Sequence, residues 1–381
     1  MMKTFWLLLI GLTALWPQDP AAETPKTPAA ALQPFIDRHV LAGAVTLVAT
    51  KDKILSHEAV GFMDVKAQTP MRPDALFWIA SQSKPITATA VLMLVDEGKL
   101  ALDDLVEKYL PEFRGQMVVA EQDPNHVLLR KPVHPITVRN VLSHTSGLRF
   151  SSPMEQPTLD ALTLKDAVRS YAMLPLQFEP DSKYQYSNAG INTAARILEV
   201  LSGMKYEEFM QKRLFDPLGM KDTTFWPSDE QVARLARSYK PNAAKDGLEE
   251  TTVGQLTYPL TDRRRQPMPA GGLFSTAVDV ARFCQMILNG GELGGRRYVS
   301  EAAVKQMTVK QTAEALKDGY GLGWSTNGGN FGHGGAFATN MNIDSGRGLI
   351  TVYMIQHSGF PGDGGKAQGA FRRAAEKLFG N

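Results

Sequence analysis

The distribution of apolar and polar positions changes character twice along the chain. From Ala31 to Val40 the apolar residues Leu32, Phe35, Ile36 and Val40 recur at the spacing of one helix face, and Gly43 ends the run. Ala44–Thr50 is then a β-type run, and Lys51-Asp52-Lys53 separates it from Ile54–Gly61, which predicts an antiparallel hairpin. A helix is expected to open at Ser81, run through Ile86, Val91, Leu92, Leu94 and Val95, and stop at Gly98. Pro85 fits because it falls in the first turn. The middle of the chain reads as helices at Thr137–Leu142, Leu164–Met173, Gly190–Leu201 and Tyr206–Leu214, followed by Val278–Leu288 and Glu301–Met307. After that come short runs read as strands, Gly321–Ser325, Asn330–Gly332, Thr339–Ile343 and Leu349–Gln356, and a last amphipathic helix over Ala367–Phe379.

Strands at both ends with helices between them predict an α/β (α+β) fold. An antiparallel sheet is built from the N- and C-terminal segments and flanked by helices, with a mainly helical subdomain inserted at about residues 99–270. One domain is expected over residues 31–381, preceded by a flexible Pro-, Ala- and Thr-rich lead-in over 23–30. Residues 1–22 read as a signal peptide: Lys3 is the positive end, Phe5–Trp16 the apolar stretch, Pro17 the break, and Ala21-Ala22 the small residues for cleavage. The apolar stretch is short for a membrane span, so an exported protein, periplasmic or secreted, is expected, with an uncleaved anchor as the alternative.

Composition narrows the classes. The formal net charge is +2, with 43% apolar and 21% charged residues, which fits an ordinary globular domain and gives no electrostatic reason for nucleic acid as a partner. The run Arg263-Arg264-Arg265 is read as a solvated loop. Cys284 is the single cysteine, so no intramolecular disulfide forms, and its helix-like surroundings make it a buried thiol. The 7 histidines are scattered and no H-E-x-x-H occurs, so no metal or other cofactor is expected. No G-x-S-x-G elbow of an α/β-hydrolase occurs either.

Three constellations carry chemistry. Ser81-Gln82-Ser83-Lys84 puts a hydroxyl and an amine at i and i+3, on one face of a helix start. A desolvated lysine there can take the serine proton, and the helix N-terminus favours the negative charge that develops. The alternative is a helix cap followed by a surface lysine. Tyr186-Ser187-Asn188, in a loop leading to a helix, offers a phenol that beside a lysine can be depressed in pKa and act as base, with an amide at i+2. The alternative is a buried Tyr and an Asn cap. His333-Gly334-Gly335-Ala336 lies on an expected strand whose glycines allow close approach to the backbone; a tight bend is the alternative. His144 is read as bonding its own loop.

In this order, S-x-x-K, Y-x-N and a Gly-rich strand motif, the segments resemble the serine β-lactamase and penicillin-binding protein superfamily, and within it the class C β-lactamases and related esterases and D-aminopeptidases. Leu142–Leu148, Pro269–Thr276 and Tyr320–Trp324 agree with the recurring segments of that group. The resemblance spans about residues 30–379 and implies a β-lactamase/transpeptidase-like fold. It further implies Ser81 as acyl-enzyme nucleophile, Lys84 sharing its proton, Tyr186 as general base and relay, and Asn188 orienting lysine and substrate. The resemblance also implies an oxyanion hole made by the backbone N–H groups of Ser81 and Ala336, with His333, Gly334 and Gly335 along the substrate. Penicillin-recognising members carry Lys and then Thr or Ser where this chain has His333 and Gly334, which turns the expectation towards substrates without a carboxylate.

The expected function is therefore that of an exported serine hydrolase acting on ester, amide or β-lactam bonds of a small molecule or a peptidoglycan-type peptide, foremost as a carboxylesterase-like or broad β-lactamase-related hydrolase. The alternatives are a class C-type β-lactamase, a D-Ala-D-Ala carboxypeptidase or D-aminopeptidase, and, outside catalysis, an acylatable penicillin-binding or sensor module.

Overall fold

The computed structural model describes residues 25–317 and 319–380; the expected signal peptide over 1–22 lies outside the described residues. The N-terminal hairpin pairs β1 (Gly43–Ala49) with β2 (Ile54–Asp64), and a short β3 (Thr69–Pro70) follows. Near the other end come β4 (Ser325–Asn327), β5 (Asn330–Gly334), β6 (Asn340–Asp344) and β7 (Leu349–Met354). They form one sheet in the order β4-β5-β6-β7-β1-β2-β3, antiparallel throughout. The sheet assembled from the two ends of the chain is therefore the one the sequence pattern implies.

Its central strands β1 and β7 are buried on both faces, and the alternation of their side chains decides which core each joins. Val45, Leu47, Ile350, Val352 and Met354 enter the large core shared with the helices. Ala44, Val48, Leu349 and Tyr353 face a second core closed by Leu32, Phe35, Ile36 and Phe371, from the chain's first and last helical segments.

Between β3 and β4 the chain builds the helical part. Helix α1 (Ser83–Asp96) is buried along almost its whole length, from Ser83 to Leu94. It packs on α3 (Asn188–Ser202), which in turn meets α2 (Val138–Ser143) and Leu164–Ala172. Thr137 caps α2 through a reciprocal capping box with Asn140. This part also contains two hairpins that the apolar pattern does not announce, Val118–Gln122 with Val127–Arg130 and Ser238–Pro241 with Leu248–Thr251. Residues 246–251 and 127–130 are largely exposed, so no buried face imprinted a period of two on them.

Two further expectations are corrected. The segment expected as a strand over Gly321–Ser325 is a bend, and pairing starts only at Ser325. Gly323 has φ of +77°, and a Cβ there would lie 2.9 Å from Lys84 O, so the chain turns under α1 instead of extending. The arginine run is not uniformly solvated: Arg263 and Arg264 are exposed, but Arg265 is buried and bonds Asp160 at 2.8 Å. Cys284 lies in helix Ala277–Leu288 with no exposure, and burial pushes its thiol up.

Candidate active site

Ser81 sits in a single 3₁₀ turn, Ala80–Gln82, that feeds α1. Ala80 before it has φ of +47°, a left-handed conformation strained for a residue with a Cβ. The turn is held from both sides. Phe77–Trp78 pairs with Phe274–Ser275, Trp78 Nε1 donates to Gly271 O at 2.8 Å, and Ile79 N donates to Leu273 O at 3.0 Å. Ser83 is turned away from the cleft: its hydroxyl donates to Ala80 O at 2.6 Å.

Lys84 lies one turn into the helix with no exposure, its Nζ 3.1 Å from Ser81 Oγ. The same nitrogen bonds Asn188 Oδ1 and Ala270 O, each at 2.8 Å. Burial drives the Lys84 pKa well below its ordinary value, so the amine gives up its proton far more readily than an exposed lysine. A neutral amine has two N–H bonds and one lone pair. Both carbonyl oxygens can only accept, so they take the two hydrogens. In that neutral form the lone pair is left for Ser81, 3.1 Å away, and can take the serine proton during reaction.

Tyr186 approaches from the loop that ends in α3. Its hydroxyl hydrogen-bonds Ser81, and its ring centroid lies 4.5 Å from Lys84 Nζ. The loop is pinned by His144, the left-handed C-cap of α2: Ser187 N donates to His144 Nδ1 at 3.2 Å, and Gln185 N donates to His144 O at 2.9 Å. His144 therefore bonds the Tyr186 loop as well as capping its own helix. The depressed phenol expected from the sequence is not found. Removal from water raises the Tyr186 pKa, and the bond from Ser81 only partly opposes it.

His333, on β5, reaches the same point. Its Nδ1 lies 2.7 Å from Gly334 O, an obligate acceptor, so Nδ1 carries the proton and Nε2 accepts. Nε2 receives the Tyr320 hydroxyl at 3.0 Å and lies 3.5 Å from the Tyr186 hydroxyl. Burial, helped by the nearby lysine, lowers the His333 pKa to about 3. After β5 the turn Gly335–Ala338 closes with Gly335 N donating to Thr339 O at 2.7 Å. Ser81, Tyr186, Asn188, Gly334, Gly335 and Ala336 all border one cleft of about 340 Å³, together with Trp78, Phe150, Gln255 and Met268. Among the described residues, no Asp, Glu, Lys or Arg lines it.

Residues 29–375 match the family model described as Beta-lactamase. The chain belongs to the beta-lactamase family. It is similar to Protein Rv1367c of Mycobacterium tuberculosis (strain ATCC 25618 / H37Rv), with 30% identity over 367 residues, 86% of this chain and 89% of that one. It is also similar to Esterase EstB of Burkholderia gladioli, with 29% identity over 372 residues, 88% and 90% of the two chains. Among solved structures, EstCE1, a hydrolase with promiscuous acyltransferase activity, aligns at a TM-score of 0.76 and 26% identity, covering 91% of this chain and 97% of that one. The protein is thus a serine hydrolase of the beta-lactamase family, and the antiparallel sheet flanked by helices is that family's fold.

In this beta-lactamase-family enzyme two site contributors are invisible to motif reading. Ala270 offers only its carbonyl, which no residue type announces. Tyr320 stands at the head of the Tyr320–Trp324 landmark, but only the fold puts its hydroxyl on His333, and it is 1% exposed. No helix among the described residues is long and apolar enough to cross a membrane.

Proposed function

We propose that the protein hydrolyses small, uncharged carboxylic esters through an acyl-enzyme on Ser81. One observation carries this reading: the cleft pairs an activated serine with walls that hold no positive charge. A substrate carboxylate, as on a β-lactam or a D-Ala terminus, would find the neutral His333 near it and a Lys84 amine that is buried and already bonded to Asn188 and Ala270. Leaving such a charge desolvated and unpaired is costly. The resemblance to EstB, an esterase by name, supports the same class.

The reaction follows from the proton positions. Ser81 Oγ bonds to the ester carbon as its proton passes to the Lys84 lone pair. The carbonyl oxygen takes the negative charge between the N–H groups of Ser81 and Ala336, a kind of donor pair whose members each contribute about 100-fold to 1000-fold in rate. The bond to the alcohol oxygen breaks. Tyr186 gives that oxygen its phenolic proton and is refilled from the Lys84 ammonium, so the neutral couple is restored. Water then attacks the acyl-serine, its proton passing to the same amine–phenol couple, and the carboxylic acid leaves with Ser81 regenerated. Lys3 and the apolar stretch Phe5–Trp16 support export of the enzyme.

The test is to offer purified protein and its Ser81→Ala variant a p-nitrophenyl ester, a chromogenic cephalosporin and a D-Ala-terminated peptide, with intact-mass detection of the adduct. Ester turnover with an acyl mass on Ser81, abolished in the variant, is expected. Rapid cephalosporin turnover with an untouched ester would overturn the substrate class. Undiminished activity of Ser81→Ala would overturn the mechanism.

A further inference from the structure

A second set of buried polar groups runs on from Ala270, at the border of the cleft, and the acyl-transfer scheme leaves it unused. Ala270, whose carbonyl takes one Lys84 hydrogen, donates its own N–H to Asn192 Oδ1 at 3.1 Å. Asn192 Nδ2 donates to the Tyr171 hydroxyl oxygen at 3.0 Å. The Tyr171 hydroxyl donates to Glu155 Oε1 at 2.6 Å, and Glu155 Oε2 accepts from Ser152 N at 2.7 Å. Asn192, Tyr171 and Glu155 are each 2% exposed.

The chain has one direction. A carboxylate only accepts, so the Tyr171 proton points to Glu155 and the phenol oxygen is left as an acceptor. That oxygen fixes which end of the Asn192 amide faces it: the NH₂ group must. The amide oxygen is thereby turned towards Ala270 N–H. Without Tyr171 and Glu155 the amide would be free to flip and to set its own hydrogens against that N–H. On the other side of the strap, Thr87 donates to Pro269 O at 2.8 Å.

We infer that Asn192, held by the Tyr171–Glu155 pair, is a positioning residue for Ser81 activation: it fixes the Pro269–Ala270 strap so that Ala270 O draws one hydrogen of the Lys84 amine and the lone pair points at Ser81. The inference rests on the reading of Lys84 as the proton acceptor. It separates Asn192 from Asn188, one helical turn earlier, which touches the amine directly.

The groups facing Lys84 set what a pH profile reports. Tyr186 faces it from the loop before α3, and His144 and His333 act on it from α2 and β5; both imidazoles stay neutral through burial. Glu155 is the one carboxyl reached through the strap, and burial raises its pKa. Activity requires the neutral amine, so the acid limb of kcat/KM follows Lys84. A fixed carbonyl dipole favours the ammonium, and releasing it lowers the amine's proton affinity. Water entering a merely loosened core would do the reverse.

The experiment measures kcat, KM and the acid limb for p-nitrophenyl acetate on the full chain, its Asn192→Ala and Tyr171→Phe variants, and a Ser81→Ala control. Asn192→Ala is expected to lower kcat about 10- to 100-fold at unchanged KM while the acid limb moves to lower pH. Tyr171→Phe, which keeps the ring, is expected to move both in the same direction by a smaller amount, so a misfolded Asn192 variant does not end the test. A kcat within about 2-fold of the parent, or an acid limb that stays put or moves upward in the folded variants, overturns the inference. If Ser81→Ala is fully active, the acyl-serine reading itself has failed; if it is inactive while the strap variants match the parent, only the positioning role has.

Discussion

At the scale of single residues, Gly334 and Gly335 are neighbours with unequal freedom. A Cβ on Gly335 would collide with Thr339 Oγ1 and lie 2.6 Å from Ile79 O, the backbone that carries Ser81. A Cβ on Gly334 would meet nothing closer than 3.7 Å. Gly335→Ala is therefore expected to push the β5 turn off the Ser81 segment, with a loss of esterase kcat of about 100-fold or more if one oxyanion donor is displaced. Gly334→Ala is expected to keep its melting temperature within about 2 °C, since its Cβ meets no protein atom closely. Steady-state kinetics and thermal melts on the two variants check this. The sequence makes Ser81, Lys84, Tyr186 and Asn188 legible because their side chains form short-spaced patterns. Ala270, Asn192, Tyr171 and Glu155 are not legible in this way: each acts through a bond closed by packing across a long stretch of chain, and an isolated Asn or Tyr in a helix leaves no distinguishing trace.

At the scale of elements, buried helices and central strands were readable, since α1, β1 and β7 are near-continuous apolar runs and α3 carries an apolar face. The exposed hairpins were not, and neither was the bend at Gly323. The loop before the Pro269–Ala270 strap is a further case. Its Arg265 joins Asp160 with side-chain exposures of 2% and 1%, and also donates to Phe225 O at 3.0 Å and Leu260 O at 2.7 Å. Asp160 in turn accepts from Thr257 N at 3.0 Å. This anchor fixes the loop between Gln255 and Met268, both of which border the cleft. Removing one member of a buried pair strands the other, so Arg265→Ala is expected to lower unfolding stability by about 3–5 kcal/mol. Urea unfolding reads that loss. Activity should fall at temperatures where the protein is still folded, because the cleft wall moves with the loop.

At the scale of the whole molecule, three buried imidazoles set the acid stability. Burial lowers the pKa of His333 to about 3 and of His357 to about 4, and drives that of His144 well down. In the unfolded chain each histidine binds its proton near pH 6.5. Between those values the unfolded state holds more protons, so stability is complete above about pH 6.5 and is lost as pH falls towards 4 and then 3. Asp279, raised to about 6 by burial, works in the opposite direction over about pH 6 to 4, as do Glu155 and Glu207, whose carboxyls burial also raises. The melting temperature is expected to fall steadily from pH 7 to pH 4, and a flat profile would show that burial of these rings is not what limits the fold in acid.

The order of strands also bears on how the molecule comes into being. The N-terminal hairpin touches the His333 strand only through β6 and β7, and β7 is the last strand of the chain. Synthesis delivers Ser81 early and Ala336, the proposed oxyanion donor, late, with the strand that joins the two parts of the sheet later still. A chain that has not yet reached β7 thus carries Ser81 without the strand at the middle of the sheet that ties His333 and Ala336 to the N-terminal hairpin.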